Sequence, residues 1–454
     1  MLAALVAIAA LSGLTATALT RPAFTMYDEG VYYYQAVLFS RGEVPYRDFF
    51  CPQPPGVLLL GAASERLGAN IVGVRVANWL CGLLLLVQTY ALTRRLRGED
   101  AKTSGVITSV FVAITVVFAY QSIQGATNMP AACLELAACL LVLGEGRRRC
   151  VFAGLVLAAA TVLRLQVLVA LPGLLALLWV VEGRSGFWSR AAWLLGTLGI
   201  ACVAIHLTLI AILPGYFDNV VGFQTARVRT DWSDRSRQVW EFLSEPVAVL
   251  GLPAALWFAV LGEGRLRGLA LHAIVTTGLI TVAGNSLSVM YYLPALPLLA
   301  VCATAALDRL VRKPWVLAAV PLVIAAIRGP WIATVILAQT APNDEHARCV
   351  AQLRDLPGET VLTSDGRIAV LAGKRLPADY YATDPNALYL LAPEKFHAWF
   401  ATILLKADVV IITPQLLMWM SSDNAAAVRK SGKPVLFDSR STRDAFETMY
   451  GSIP

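Results

Sequence analysis

The sequence predicts an α-helical polytopic membrane protein of about eleven transmembrane helices, with a small α/β domain at its C-terminal end outside the membrane. Three observations carry this. Of 454 residues, 57% are apolar and only 15% charged, and mean hydropathy is +0.64, far from the values of a water-soluble globular chain. Apolar runs long enough for a hydrocarbon core of about 30 Å recur along the chain. Basic residues collect in every second connector, as the positive-inside rule requires of alternating spans.

The runs lie near residues 1–20, 71–93, 103–120, 129–144, 150–164, 166–181, 191–213, 247–261, 268–283, 289–306 and 315–337. The first contains "TATA" near its end but no basic n-region, so it reads as a span rather than a cleaved signal. The basic connectors carry Arg94, Arg95, Arg97 and Lys102; Arg147, Arg148 and Arg149; Arg184 and Arg190; Arg265 and Arg267; and Arg309, Arg312 and Lys313. In this reading they are the cytoplasmic loops. The opposite connectors lack charge, as in "QSIQGATN" (121–128) and "GNSLSV" (284–289), or mix Arg with Asp and Glu, as in 21–70 and 214–246. An odd number of spans puts the tail outside with them. The expected division is a membrane domain over 1–340, with outer loops at 21–70 and 214–246, and an extracytoplasmic α/β domain over 341–454.

The net charge of +7 sits in short loops beside anionic lipid rather than on a folded basic face, so no nucleic-acid partner is expected. Of eight cysteines only Cys51 and Cys349 fall in outer regions, and neither CxxC nor Cys/His metal spacing occurs. In the tail, "TVLTSDGRIAVLAG" (360–373), "ADVVIITP" (407–414) and "KPVLFD" (433–438) read as strands, and "PEKFHAWFATILLKA" (393–407) as a helix. It holds no GxGxxG and no GxxxxGK[ST], so it reads as a packing domain rather than a nucleotide site.

The informative stretch is the first outer loop, "TMYDEGVYYYQAVLFSRGEVPYRDFFCPQPPG" (25–56). Adjacent carboxylates, Asp28 and Glu29, open a helix-like run whose three tyrosines suit a membrane interface. Four prolines then exclude a long helix. The order DEG, then Tyr32, Ala36, Gly42, Pro45, Tyr46, Asp48 and Phe49, then PPG, resembles the membrane glycosyltransferases of the GT-C fold. The similarity is greatest to the protein O-mannosyltransferase branch and to the bacterial enzymes that transfer aminoarabinose to lipid A. It extends to "LRLQVLVALPG" (163–173), "YYLPALPLLA" (291–300) and the outer tail.

The resemblance implies a GT-C-like fold, a sugar donor carried on a polyprenyl phosphate, and a catalytic base at the carboxylate that opens the first outer loop, here Asp28 with Glu29 beside it. General-base assistance fits a hydroxyl acceptor, which is a poor nucleophile at neutral pH. The leaving phosphate needs fixed donors. Arg164, at the outer end of a short span, is one candidate, since an ionisable residue there should face a cavity or partner. The loop "TARVRTDWSDRSRQVW" offers Arg227, Arg229, Arg235 and Arg237 among Trp232 and Trp240. Tyr291 and Tyr292 are candidate sugar contacts, alternatively an aromatic belt. Asp28 alternatively caps a helix, Glu29 alternatively serves its dipole, and Asp48 holds the loop.

One departure stands out. Many relatives carry a second acidic residue in the second outer loop, where this chain has Gln124 and Asn128, so neutral hydrogen bonds to the sugar are expected there. Glu135 lies on the same helix face as Asn128, with a histidine such as His206 or an arginine as its expected partner. No metal or cofactor is predicted. The expected partners are the lipid-linked sugar, membrane lipids, and an acceptor glycan, lipid or protein. The expected location is a bacterial inner membrane with the active site outside. The sequence leaves the sugar open, and leaves two other classes standing: a transporter or flippase for a lipid-linked solute, and an inactive GT-C-like scaffold.

Overall fold

The computed structural model describes residues 27–98, 101–226, 231–283, 287–311, 314–340 and 344–453. The expected first span at 1–20 lies outside these residues. Contacts divide the chain into two compact units: one holds the described residues of 72–209 and 229–338, the other those of 21–71, 210–228 and 339–454. The units cut across the sequence boundary at 340.

In the first unit, each remaining apolar run coincides with helical chain: Asn70–Arg97, Lys102–Ala113 with Val116–Ser122, Asn128–Val142, Arg147–Thr161, Leu171–Ile212, Pro246–Leu261, Gly264–Val282, Ala295–Leu310 and Pro314–Thr340. Among the described residues, two helical stretches are long and apolar enough to cross a membrane, and up to four if each bent pair is one span. Several others are short, such as Asn128–Val142 with 15 residues, about 23 Å at 1.5 Å per residue. The Leu171–Ile212 run is broken at Gly183, whose φ of 65° and ψ of −177° interrupt the helix where the sequence placed a connector. Arg190 beyond it is buried rather than solvated: it pairs with Glu182 and donates to the carbonyls of Val142, at 2.9 Å, and Gly144, at the C-terminal end of Asn128–Val142. A cation there meets the negative end of the helix dipole.

Two sharp bends share one carboxylate. Lys102–Ala113 and Val116–Ser122 meet at 75°, and Trp232–Leu243 and Pro246–Leu261 at 88°. Glu245, in the second joint, accepts from the Val116 backbone N–H in the first at 3.1 Å. Arg328 lies 3.6 Å from the same carboxylate and donates to the Ser244 carbonyl.

The second unit contains a parallel sheet in the order β1 (Val361–Leu362), β2 (Val409–Ile412), β3 (Val435–Phe437). Val361 pairs with Val409, and Val410 with Val435. Its core gathers Phe396, Phe400, Ile403, Leu416 and Phe446. The strand expected over 360–373 is only two residues long; Gly366–Leu371 is a helix, N-capped by Asp365. A short apolar run fits either period, and the capping aspartate decides for helix.

Candidate active site

In the second unit the motif helix, Tyr27–Ser40, begins with Asp28 and Glu29 in its first turn, where carboxylates complement the helix dipole. Asp28 is exposed and Glu29 buried. Tyr33 and Tyr34 are also buried. This corrects the interface reading of the tyrosines: Tyr33 donates to Glu65 Oε2 at 2.6 Å, and Tyr34 Oη accepts from the Leu376 N–H at 2.9 Å. Burial and the Glu65 carboxylate push the Tyr33 phenol well above its usual range. These rings are internal struts, not a belt.

The proline-rich stretch is held by side chains to backbone. Asp48 accepts from the Val44 N–H at 2.7 Å and from Arg47 Nε at 2.8 Å, which holds its carboxyl below the usual range and makes it the loop's clamp. Tyr46 takes φ of 68°. Gln35 Nε2 and Thr383 Oγ1 both donate to the Phe50 carbonyl, at 2.8 and 3.1 Å. Asn219 accepts from Tyr380 Oη at 2.7 Å and donates to the Gly215 carbonyl at 2.9 Å. Burial pushes the Cys51 thiol up to about 12, so it is a structural residue rather than a nucleophile. Nothing local in the sequence marks Asn219 as the tie between these segments.

In the first unit, a cavity enclosing about 530 Å³ of empty space including its mouth is lined by Asn128, Glu135, Arg164, Gln166, Thr276 and Tyr291, with Ala131, Val167, Met290 and Pro294 among its apolar residues. Arg164 is fixed in three ways. Its Nε donates to Gln166 Oε1 and its Nη1 to Asn128 Oδ1, and its Cζ lies 4.5 Å from the centre of the Tyr291 ring. Asn128 Nδ2 donates in turn to Gln121 Oε1 at 2.7 Å. Among the described residues, no protein acceptor takes the remaining N–H groups of Arg164, so a planar donor set is held in a polar and apolar cavity, the arrangement suited to an anionic group on a lipid chain.

The other sequence candidates divide. Tyr291 lines the cavity, whereas Tyr292 is fully buried, stacked on Phe242 at 4.0 Å and hydrogen-bonded to Thr281; it supports its neighbour from behind. Gln124 is buried and accepts from Gln121 Nε2 at 3.2 Å. Arg235 is buried and donates to the Thr281 carbonyl, and Arg237 pairs with Asp234 at the surface. Arg227 and Arg229 lie outside the described residues. Glu135 shares the cavity with Arg164, while His206 bonds Thr161 at 2.8 Å. Of the two partner types expected for Glu135, the arginine rather than His206 shares its cavity.

Residues 52–208 match the family model described as dolichyl-phosphate-mannose-protein mannosyltransferase. No curated protein matches the sequence significantly. The structure is similar to ArnT from Cupriavidus metallidurans in the apo state, with a TM-score of 0.65 at 14% identity over 82% of this chain and 84% of that one. With ArnT bound to undecaprenyl phosphate the TM-score is 0.59 at 16% identity, over 99% and 91%. An oligosaccharyltransferase from Archaeoglobus fulgidus, tethered to an acceptor peptide, gives 0.51 at 12%, over 88% and 70%. The chain therefore has the GT-C fold of these structures, and its residues 52–208 match the dolichyl-phosphate-mannose-protein mannosyltransferase family model.

Proposed function

We propose that the protein is an inverting glycosyltransferase that moves a sugar from a polyprenyl-phosphate donor to an acceptor on the extracytoplasmic face of a bacterial inner membrane. Asp28 takes the proton of the acceptor hydroxyl as its oxygen attacks the anomeric carbon. The bond from that carbon to the phosphate oxygen breaks, and its electron pair leaves with polyprenyl phosphate. A single displacement with one base inverts the anomeric centre.

The observation that carries this reading is Arg164, held over the Tyr291 ring and bonded to Asn128 and Gln166 in a cavity with a partly apolar lining. A guanidinium fixed before the ligand arrives stabilises the charge that develops on a leaving phosphate without reorganising. The undecaprenyl phosphate in the ArnT structure that aligns with 99% of this chain supports the donor class. Glu29, buried beside Asp28, orients the turn, and Gln124 and Asn128 supply the neutral polar groups of the second outer loop. The reaction as written uses no resident metal or cofactor, and the 341–454 domain lies outside with the acceptor.

The test is release of free polyprenyl phosphate from a panel of polyprenyl-phosphate sugars by purified protein in native-like lipid. Wild type should consume at least one donor. Asp28→Asn should lose about 10²-fold or more while remaining folded, the usual scale of general-base assistance. Turnover of the variant within a few-fold of wild type would remove Asp28 from its role. Donor translocation without release would favour a flippase.

A further inference from the structure

Gly30, the last residue of DEG, sits against Arg367. A Cβ at position 30 would lie 2.6 Å from Nε, 2.7 Å from Cδ and 2.8 Å from Cγ of that arginine. Arg367 is itself held by Asp365 in a fork, Nε to Oδ1 at 2.7 Å and Nη2 to Oδ2 at 2.5 Å, and both residues are buried. One helical turn beyond Gly30, a Cβ at Gly366 would lie 2.8 Å from the Tyr34 side chain, and Leu376 N–H donates to Tyr34 Oη. Positions 30 and 34 share one helix face. That face is seated on residues 366–376, from the domain that the sequence presented as mere packing.

We propose that the Asp365–Arg367 pair is a positioning device for the DEG turn, fixing where its carboxylates sit and setting the local charge they feel. This rests on the reading of Asp28 as the base. Asp28 is two residues from Gly30, about 3 Å along the helix, within a Debye length of about 8 Å in physiological salt. Intact, the pair carries two opposite charges and braces the turn. Neutralising Arg367 leaves a buried carboxylate beside the turn and raises the pH at which Asp28 ionises. Neutralising Asp365 removes a buried negative charge beside the turn and lowers it. Other charged groups face this region: His346 and Asp438 beside Asp365, Arg375, Arg41 and Glu43 around Tyr34, Glu65 on Tyr33, and Glu29 on the turn itself. None is changed by either substitution.

The experiment reads Asp28 directly. Carbodiimide labels protonated carboxyls, so the pH midpoint of Asp28 labelling, followed by mass spectrometry on full-length protein in lipid nanodiscs, reports its ionisation whether or not a donor is present. Arg367→Gln should raise the midpoint by about half a unit and Asp365→Asn should lower it by a similar amount, the scale of one partly screened charge. Arg367→Lys, which keeps the charge, should stay near wild type. Gly30→Ala, which displaces the arginine without altering charge, should reduce turnover several-fold with an unshifted midpoint. Midpoints that move in the same direction, or not at all, in the two neutralised variants would overturn the proposal. Full turnover by Asp28→Asn would instead dismiss the base assignment and leave the labelling result to judge the brace.

Discussion

The guanidinium of Arg164 is packed on the face of Tyr291, with Cζ 4.5 Å from the ring centre, while Asn128 and Gln166 hold its edge. A planar, forked cation is what this site is built around, and lysine cannot reproduce either the stack or the fork. Arg164→Lys should therefore raise the donor KM about tenfold, and Arg164→Ala should lower kcat/KM by about 10² or more, the scale of losing one preorganised transition-state donor. Tyr291→Ala should cost several-fold, in line with an exposed cation–π contact of about 0.5–1 kcal/mol, and Tyr291→Phe almost nothing. Steady-state kinetics on donor concentration checks all four variants; a lysine variant that behaves like wild type would show that only charge matters.

Asn219 ties Gly215, Tyr380 and the proline-rich stretch together. Asn219→Ala removes that acceptor from the half-buried Tyr380 hydroxyl, which keeps only the Tyr46 carbonyl at 3.0 Å, a loss of about 1 kcal/mol. The melting temperature should fall by several degrees. Tyr380→Phe combined with Asn219→Ala should cost less than the two single losses added, because the two residues share one hydrogen bond.

His346 is half-buried near Asp365, Arg367 and Asp438, and desolvation holds its imidazole below the usual histidine range. A folded-state value below the unfolded one means stability that is present above the unfolded value of about 6.5 and is lost as pH falls through it. Chemical denaturation of wild type should therefore weaken as the pH drops from 7 towards 5. His346→Gln, which does not titrate, should flatten that slope. An unchanged slope in the variant would assign it to another group.

Arg190 is 4% exposed, yet it satisfies two helix-end carbonyls and Glu182. Removing one partner of a buried ion pair costs about 3–5 kcal/mol, so Arg190→Ala should sharply reduce the yield of folded protein in detergent. Arg184→Ala, in the same basic connector, changes a loop charge and should leave the yield near wild type.

The helices were legible because bilayer-length apolar runs leave little choice of secondary structure, and the basic connectors marked their ends. The DEG and PYRDF stretches were legible because their residues are constrained one by one: Asp48 clamps Val44, and Gly30 must be small beneath Arg367. What stayed hidden depends on partners distant in sequence. The three tyrosines look alike along the chain, yet two are struts whose acceptor and donor come from Glu65 and Leu376. Tyr291 and Tyr292 are adjacent, and only packing on Phe242 separates the buried one from the cavity residue. Asp365–Gly366–Arg367 reads as an ordinary turn until Gly30 is placed against it.

The motif helix is completed by contacts such as Gln35 with Thr383, 348 positions apart in the chain. A chain made from its N-terminal end exposes the DEG segment early, but the residues that seat it emerge from the ribosome only after nearly every span has been synthesised. Contacts so remote in sequence form late, and domains emerging in order fold in order. The DEG turn thus stays unseated through most of biosynthesis, and a protein truncated before residue 383 would hold its apolar helices without the contacts that seat this turn.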